Sequence, residues 1–195
     1  MGDKVKVIVI EDDPDFIYLI RNIIKGDDRL VYLGDAENAI SGVSLAHKRS
    51  PDIALVDLSL TPNELDGIAA AKEIRLSMNT KILLLTSFEQ PDIITEASRT
   101  AFASGYIFKS QRENLTDTIY HTATSITPQE QFIRELLIKE LSQAEKSVLY
   151  WLIAGDKSLP PPSAPRTIAN QKGSIFKKLG LKSTEELFRV FRSRS

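Results

Sequence analysis

The 195-residue chain reads as an α/β protein: a doubly wound, five-stranded parallel (βα)5 sheet followed by a small all-α domain. Two patterns carry this expectation. Through residues 1–125, short apolar runs alternate with amphipathic stretches of helical period, as strands buried on both faces and their crossover helices should. Beyond residue 125 only helical spacing continues and the charge balance reverses. Thirteen Lys and Arg face nineteen Asp and Glu in residues 1–125, whereas twelve face seven in residues 126–195, and the net charge is −1. An acidic body therefore carries a basic tail. With 42% hydrophobic and 26% charged residues the chain can build a core. It has no cysteine and two histidines, His47 and His121. Disulfides, thiolate nucleophiles and Cys-based metal sites are thereby excluded. No apolar run is longer than a strand and no signal-peptide pattern opens the chain, so a cytoplasmic protein is expected.

The apolar, β-branched runs 5–10, 30–33, 53–56, 82–85 and 106–108 are the expected strands. Between and after them, helical spacing follows Phe16, Leu19, Ile20 and Ile23; Ala39, Ile40, Val43 and Ala46; Ile68, Ala71 and Ile74; Ile93, Ile94, Ala97 and Ala101; and Leu115, Ile119 and Ala123. Thr127, Pro128 and Glu130 open the next segment as a cap, a first-turn proline and a capping-box glutamate, so residues 126–140 read as a connecting helix. Ser142 and Glu145 repeat the box before the stripe Val148, Leu149, Leu152, Ile153, which Gly155 closes. Four prolines in 159–165 exclude ordinary helix there. Helical spacing returns from Thr167 to Gly180, and Ser183 with Glu186 starts a last helix. Three parts result: 1–125, 126–140 and 141–195.

In a doubly wound sheet, functional groups collect beyond the carboxyl ends of the strands. Here those ends carry Glu11, Asp12 and Asp13, then Asp57, then Thr86 and Ser87, then Lys109. Crowded carboxylates repel unless a hard cation such as Mg²⁺ lies between them. A carboxylate beside that cation can attack a phosphoryl group while a lysine and a threonine hydroxyl neutralise the transferred oxygens. Singly, a strand-end Asp is often only a helix cap and a strand-end Lys only solvated. Acid, acid, hydroxyl and lysine at successive strand ends are not explained that way.

These residues resemble the receiver domain of two-component response regulators, over essentially all of residues 1–125. Val9-Ile10-Glu11-Asp12-Asp13-Pro14 looks like the family's metal-binding acidic pair, best matched by Glu11 and Asp12. Leu55-Val56-Asp57-Leu58 resembles the phosphoacceptor strand, Leu85-Thr86-Ser87 the switch hydroxyl, and Gly105-Tyr106-Ile107-Phe108-Lys109 the switch aromatic and the family's lysine. The resemblance implies phosphorylation of Asp57 by a sensor histidine kinase, with Thr86 and Lys109 assisting and Thr86 and Tyr106 as switch residues. It also implies Mg²⁺ held by Glu11, Asp12, Asp57 and the backbone carbonyl of Ser59. The chain departs from the pattern in a loop, 59–67, about two residues longer than usual for the family, in Phe102 where glycine is common, and in Ser110 after the lysine. Phe88, two residues beyond Thr86, stands at the family position that borders the route of the hydrolytic water, and the resemblance implies that an apolar ring there, unable to orient a water, gives a long-lived phosphoryl group. A haloacid-dehalogenase-type phosphatase would need a second Asp two residues after the nucleophile, where Ser59 stands. A signalling protein rather than an enzyme is expected.

Residues 141–195 resemble the helix-turn-helix domain of NarL/LuxR-type regulators. Residues 141–149 look like its first helix and 167–180 like its recognition helix. The resemblance places Thr167, Asn170, Gln171 and Lys172 at DNA, Lys177 and Lys178 near phosphates, and the last helix in a homodimer formed on phosphorylation. Between Gly155 and Thr167, however, the chain is about four residues short and proline-blocked, so the family's scaffold helix is expected to be missing. A transcriptional regulator is the first reading. A receiver whose altered C-terminal domain binds protein or only dimerises is the second. No membrane partner is expected.

Overall fold

The computed structural model describes residues 3–60, 66–87, 90–155 and 160–192. The chain forms two compact units, Met1–Ile133 and Arg134–Ser195. In the first, the elements run β1 Val5–Ile10, α1 Pro14–Lys25, β2 Leu30–Ala36, α2 Ala39–Arg49, β3 Ile53–Asp57, α3 Asp66–Ser77, β4 Lys81–Thr86, α4 Pro91–Thr100, β5 Gly105–Phe108 and α5 Leu115–Thr124. The strands are parallel in the order β2-β1-β3-β4-β5. The order reverses at β1 and β3, which opens a crevice beyond their carboxyl ends.

Strand alternation divides the core between the two faces of the sheet. Ile8, Ile10, Val56, Ile82 and Leu84 pack with Ala46, Ala71, Ile74 and Ala97 from α2, α3 and α4. Val7, Val9, Leu55, Leu83 and Leu85 pack with Ile20, Ile24, Leu115 and Ile119 from α1 and α5. Because these strands are covered on both sides, the uninterrupted apolar runs in the sequence are the right signal for them. β2 extends beyond its apolar run. It lies at the sheet edge, where Asp35 is half-buried rather than enclosed, and Leu33 is bulged where Gly34 takes φ 144°. Phe102, where glycine is common in the family, adopts φ 51°. That left-handed backbone costs about 1 kcal/mol for a residue with a Cβ. Burial of the ring, with Lys72 Nζ 5.6 Å from its centroid, offsets it.

The helix α6, Pro128–Leu137, starts as expected, with Thr127 Oγ1 accepting from the Glu130 N–H at 3.1 Å. Its first turn is built into the sheet unit. Gln129 Oε1 accepts from the Tyr106 N–H at 3.0 Å and Gln129 Nε2 donates to the Tyr106 carbonyl at 3.4 Å, so a side chain completes the open edge of β5. Glu130 reads from the sequence as a capping-box glutamate, a role that needs only the surface. It is buried instead, and its carboxylate accepts from Lys81 Nζ at 2.9 Å, while the same ammonium donates to the Thr122 and Ser125 carbonyls at 2.7 and 2.9 Å. The compact unit accordingly runs on to Ile133.

The second unit holds α7 Gln143–Ala154, α8 Pro165–Leu179 and α9 Thr184–Phe191. The Ser142–Glu145 capping box closes, and Gly155 and Gly180 end α7 and α8 at φ 63° and 68°. α8 begins ahead of Thr167 because Pro165 occupies its first turn, where a missing N–H costs nothing. Val148, Leu149, Ile175, Leu187 and Val190 form its buried centre. Among the described residues no helix lies between Ala154 and Pro165, and residues 160–164 are non-helical. No helix among the described residues is long and apolar enough to cross a membrane.

Candidate functional site

The sheet brings the chemical groups together by extending its own backbone pairing past the strand ends. The Glu11 N–H donates to the Ala36 carbonyl at 3.0 Å, the Leu58 N–H to Leu85 at 3.1 Å, and the Lys109 N–H to Thr86 at 2.8 Å. Glu11, Asp57, Thr86 and Lys109 therefore leave the sheet from fixed positions. α3 presses on the same place. A Cβ on Gly67 would lie 1.9 Å from the Asp57 carbonyl oxygen, so only glycine permits that approach.

Lys109 is the centre of the cluster. Its Nζ lies 2.7 Å from Glu11 Oε2, 2.9 Å from Glu11 Oε1 and 2.9 Å from Asp57 Oδ2. Burial draws the ammonium down, but hydrogen bonds to Glu11 and Asp57 more than compensate and hold it above its ordinary value. Glu11 has no solvent exposure, and burial pushes its carboxyl up to about 7, the Lys109 hydrogen bond pulling against this and the Asp57 charge adding to it. Carboxylate oxygens of Glu11, Asp12 and Asp57 lie within 4.8 Å of one another, two residues buried and Asp12 exposed. An all-oxygen set open to water on one side fits a hard divalent cation, and a dication would relieve the charge that burial penalises at Glu11. Asp13, the third acid of the run, is not in this set. It caps α1, its Oδ1 accepting from the Asp15 and Phe16 N–H groups at 2.9 and 3.2 Å.

Thr86 is fully buried at the end of β4. Tyr106 is half-buried on the same face of the sheet, paired with Leu84 while Thr86 pairs with Phe108. Its ring meets Phe108 edge-on at 5.5 Å. Ser59 is half-buried, and its Oγ finds no hydrogen-bond partner among the described residues. Phe88 and residues 61–65 of the lengthened loop lie outside the described residues. One participant escaped the sequence reading. The Phe16 ring centroid lies 4.8 Å from Lys109 Nζ, although its helical spacing marked Phe16 only as core.

In the second unit, Thr167, Asn170 and Lys177 are exposed on α8, and Gln171 and Lys172 are half-buried. Lys172 Nζ lies 5.4 Å from the Phe176 ring. Lys178, also exposed, donates to Glu145 Oε2 in α7 at 2.8 Å and to the carbonyl of Glu140, ahead of that helix, at 3.2 Å. With Ser174 Oγ on the other oxygen at 2.6 Å, this pair holds the Glu145 carboxyl down at about 2.

Residues 7–120 match the family described as the response regulator receiver domain. The transcriptional regulatory protein YdfI of Bacillus subtilis is 26% identical over 93% of this chain and 92% of its own length. The oxygen regulatory protein NreC of Staphylococcus carnosus is 27% identical over 92% and 94%. Among solved structures, RcsB of Salmonella enterica serovar Typhimurium, bound to the promoter rprA with a phosphomimetic, shares the fold with a TM-score of 0.57. It is 21% identical, over 98% of this chain and 100% of that one.

Proposed function

This chain belongs to the response regulator receiver family, and we propose that it is a cytoplasmic regulator that accepts a phosphoryl group from a sensor histidine kinase on Asp57 and thereby controls transcription through its C-terminal unit. The observation that carries this reading is the bridging of Glu11 and Asp57 by one lysine at 2.7 and 2.9 Å beside exposed Asp12. Lys109 Nζ donates to Glu11 Oε1 and Asp57 Oδ2, and the other Asp57 oxygen is assigned as the nucleophile. It attacks phosphorus, the P–N bond to the donor histidine breaks as the O–P bond forms, and the imidazole departs with the bonding pair and takes up a proton. Lys109 meets the charge on the transferred oxygens, and the Thr86 hydroxyl donates to one of them. Glu11, Asp12, Asp57 and the Ser59 carbonyl would hold Mg²⁺, which supplies further neutralisation of phosphoryl charge. The test is incubation with acetyl phosphate and Mg²⁺ followed by intact-mass measurement. One phosphoryl group is expected on the wild type and none on Asp57→Asn; equal uptake by the variant would overturn the assignment.

The output reading rests on the helical second unit and on relatives named as transcriptional regulators. Thr167, Asn170, Gln171 and Lys172 are the residues assigned to DNA, with Lys177 and Lys178 near phosphates and a homodimer joining two half-sites on phosphorylation. The non-helical stretch 160–164 favours weak base discrimination by each half, since base readout needs a recognition helix held at a fixed angle. If the chain fails to retard DNA in either phosphorylation state, a unit that serves protein contact or dimerisation takes its place.

A further inference from the structure

We propose that Phe16 is a positioning residue that holds Lys109 when the carboxylates around it are engaged elsewhere; this deepens the phosphoacceptor reading and rests on it. Lys109 Nζ has two kinds of contact. The ionic ones go to Glu11 at 2.7 Å and Asp57 at 2.9 Å, and both partners belong to the oxygen cluster that would take a divalent cation. The other is the Phe16 ring, its centroid 4.8 Å away. A cation drawn into the cluster competes for the charge of Glu11 and Asp57, and a phosphoryl group on Asp57 converts that carboxylate into an acyl phosphate. Neither event alters the ring.

An aromatic face attracts an ammonium through its quadrupole without setting a further carboxylate oxygen among the lysine's acceptors. The Lys109 donors thus stay available to the transferred oxygens. The ring is also well fixed. Phe16 lies in the first turn of α1, its N–H held by Asp13 Oδ1 at 3.2 Å, and its side chain packs against the core that includes Val9, Leu55 and Leu85. Asp13, though outside the carboxylate cluster, therefore serves it by seating Phe16.

The test compares Phe16→Leu, which keeps bulk and apolarity, with Phe16→Tyr, which keeps the ring. Phosphorylation by acetyl phosphate is followed by intact mass across donor concentrations. Loss of the ring should lower the plateau rate by about 3- to 30-fold, with the half-saturating donor concentration little changed, and Tyr should restore it to within about twofold. A readout independent of activity is the rate of reductive methylation of Lys109 with Mg²⁺ present, mapped by peptide mass against the other lysines. Leu should raise it several-fold at Lys109 alone. A Leu variant that matches wild type in both measurements overturns the proposal. So does one that accelerates methylation at all lysines, because that reports general loosening. A wild type that takes no phosphoryl group on Asp57 would instead overturn the underlying reading.

Discussion

Glu11 is a carboxylate without solvent, balanced by Lys109 and opposed by Asp57. Its raised value has a definite sign in stability. Between the ordinary 4.5 and about 7 the folded chain holds a proton that the unfolded chain releases, so this group makes folding less favourable as pH rises through that window. In metal-free buffer, wild type should therefore lose stability relative to Glu11→Gln between pH 5 and pH 8. Denaturant midpoints at the two pH values measure it. Adding Mg²⁺ should shrink the difference, because a dication favours the charged carboxylate; an identical pH slope for the two proteins would contradict the prediction. The same comparison explains why Glu11 and Asp57 can both sit at strand ends. Lys109 faces both, the Asp13 N–H donates to Glu11 Oε1 at 3.2 Å, and the charge left over is what a cation would meet.

The joint between α5 and α6 is a matter of elements. Lys81, at the start of β4, donates to the Thr122 carbonyl in the last turn of α5, to the Ser125 carbonyl just beyond it and to Glu130 in the first turn of α6, so three elements meet on one buried ammonium. Removing one partner of a buried ion pair is costlier than removing both, since the survivor is left desolvated and uncompensated. Glu130→Ala should lower stability by about 3 kcal/mol, read from urea midpoints, whereas Lys81→Met with Glu130→Leu should cost less than Glu130→Ala. Equal losses would mean that the ion pair is not what joins these elements. Gln129 adds to the joint by completing the β5 edge at Tyr106. The start of α6 is therefore held next to a residue assigned to switching.

On the scale of the entire chain, an acidic first unit and a basic second unit predict strongly salt-dependent DNA association. Each lost phosphate contact should reduce the slope of log affinity against log salt by about one. For the phosphorylated full chain, Lys177→Ala should lower that slope by this amount while weakening binding similarly on all sequences. Titration at several salt concentrations gives the value, and an unchanged slope would remove Lys177 from the interface. Lys178 is a different case. Its charge is committed to Glu145, so its loss acts first on how α8 is held to α7.

Patterns of short range were legible in the residues themselves. Strands buried on both faces are mostly apolar, caps favour Ser, Thr, Asp or Asn, and αL helix ends favour glycine, so the five strands, the Ser142 box and the ends at Gly155 and Gly180 all follow from local rules. The gathering of Glu11, Asp12, Asp57 and Lys109 at strand ends was legible too, because parallel strands deliver their last residues to one edge. Partnerships between distant residues were not. Phe16 over Lys109, Glu130 on Lys81 and Lys178 on Glu145 join residues between 33 and 93 positions apart. Each side chain had an adequate local role, as core, cap or surface charge, that gave no hint of its partner. Packing chose among those roles, since burying an ammonium or a carboxylate is tolerated only where the fold closes an opposite charge upon it.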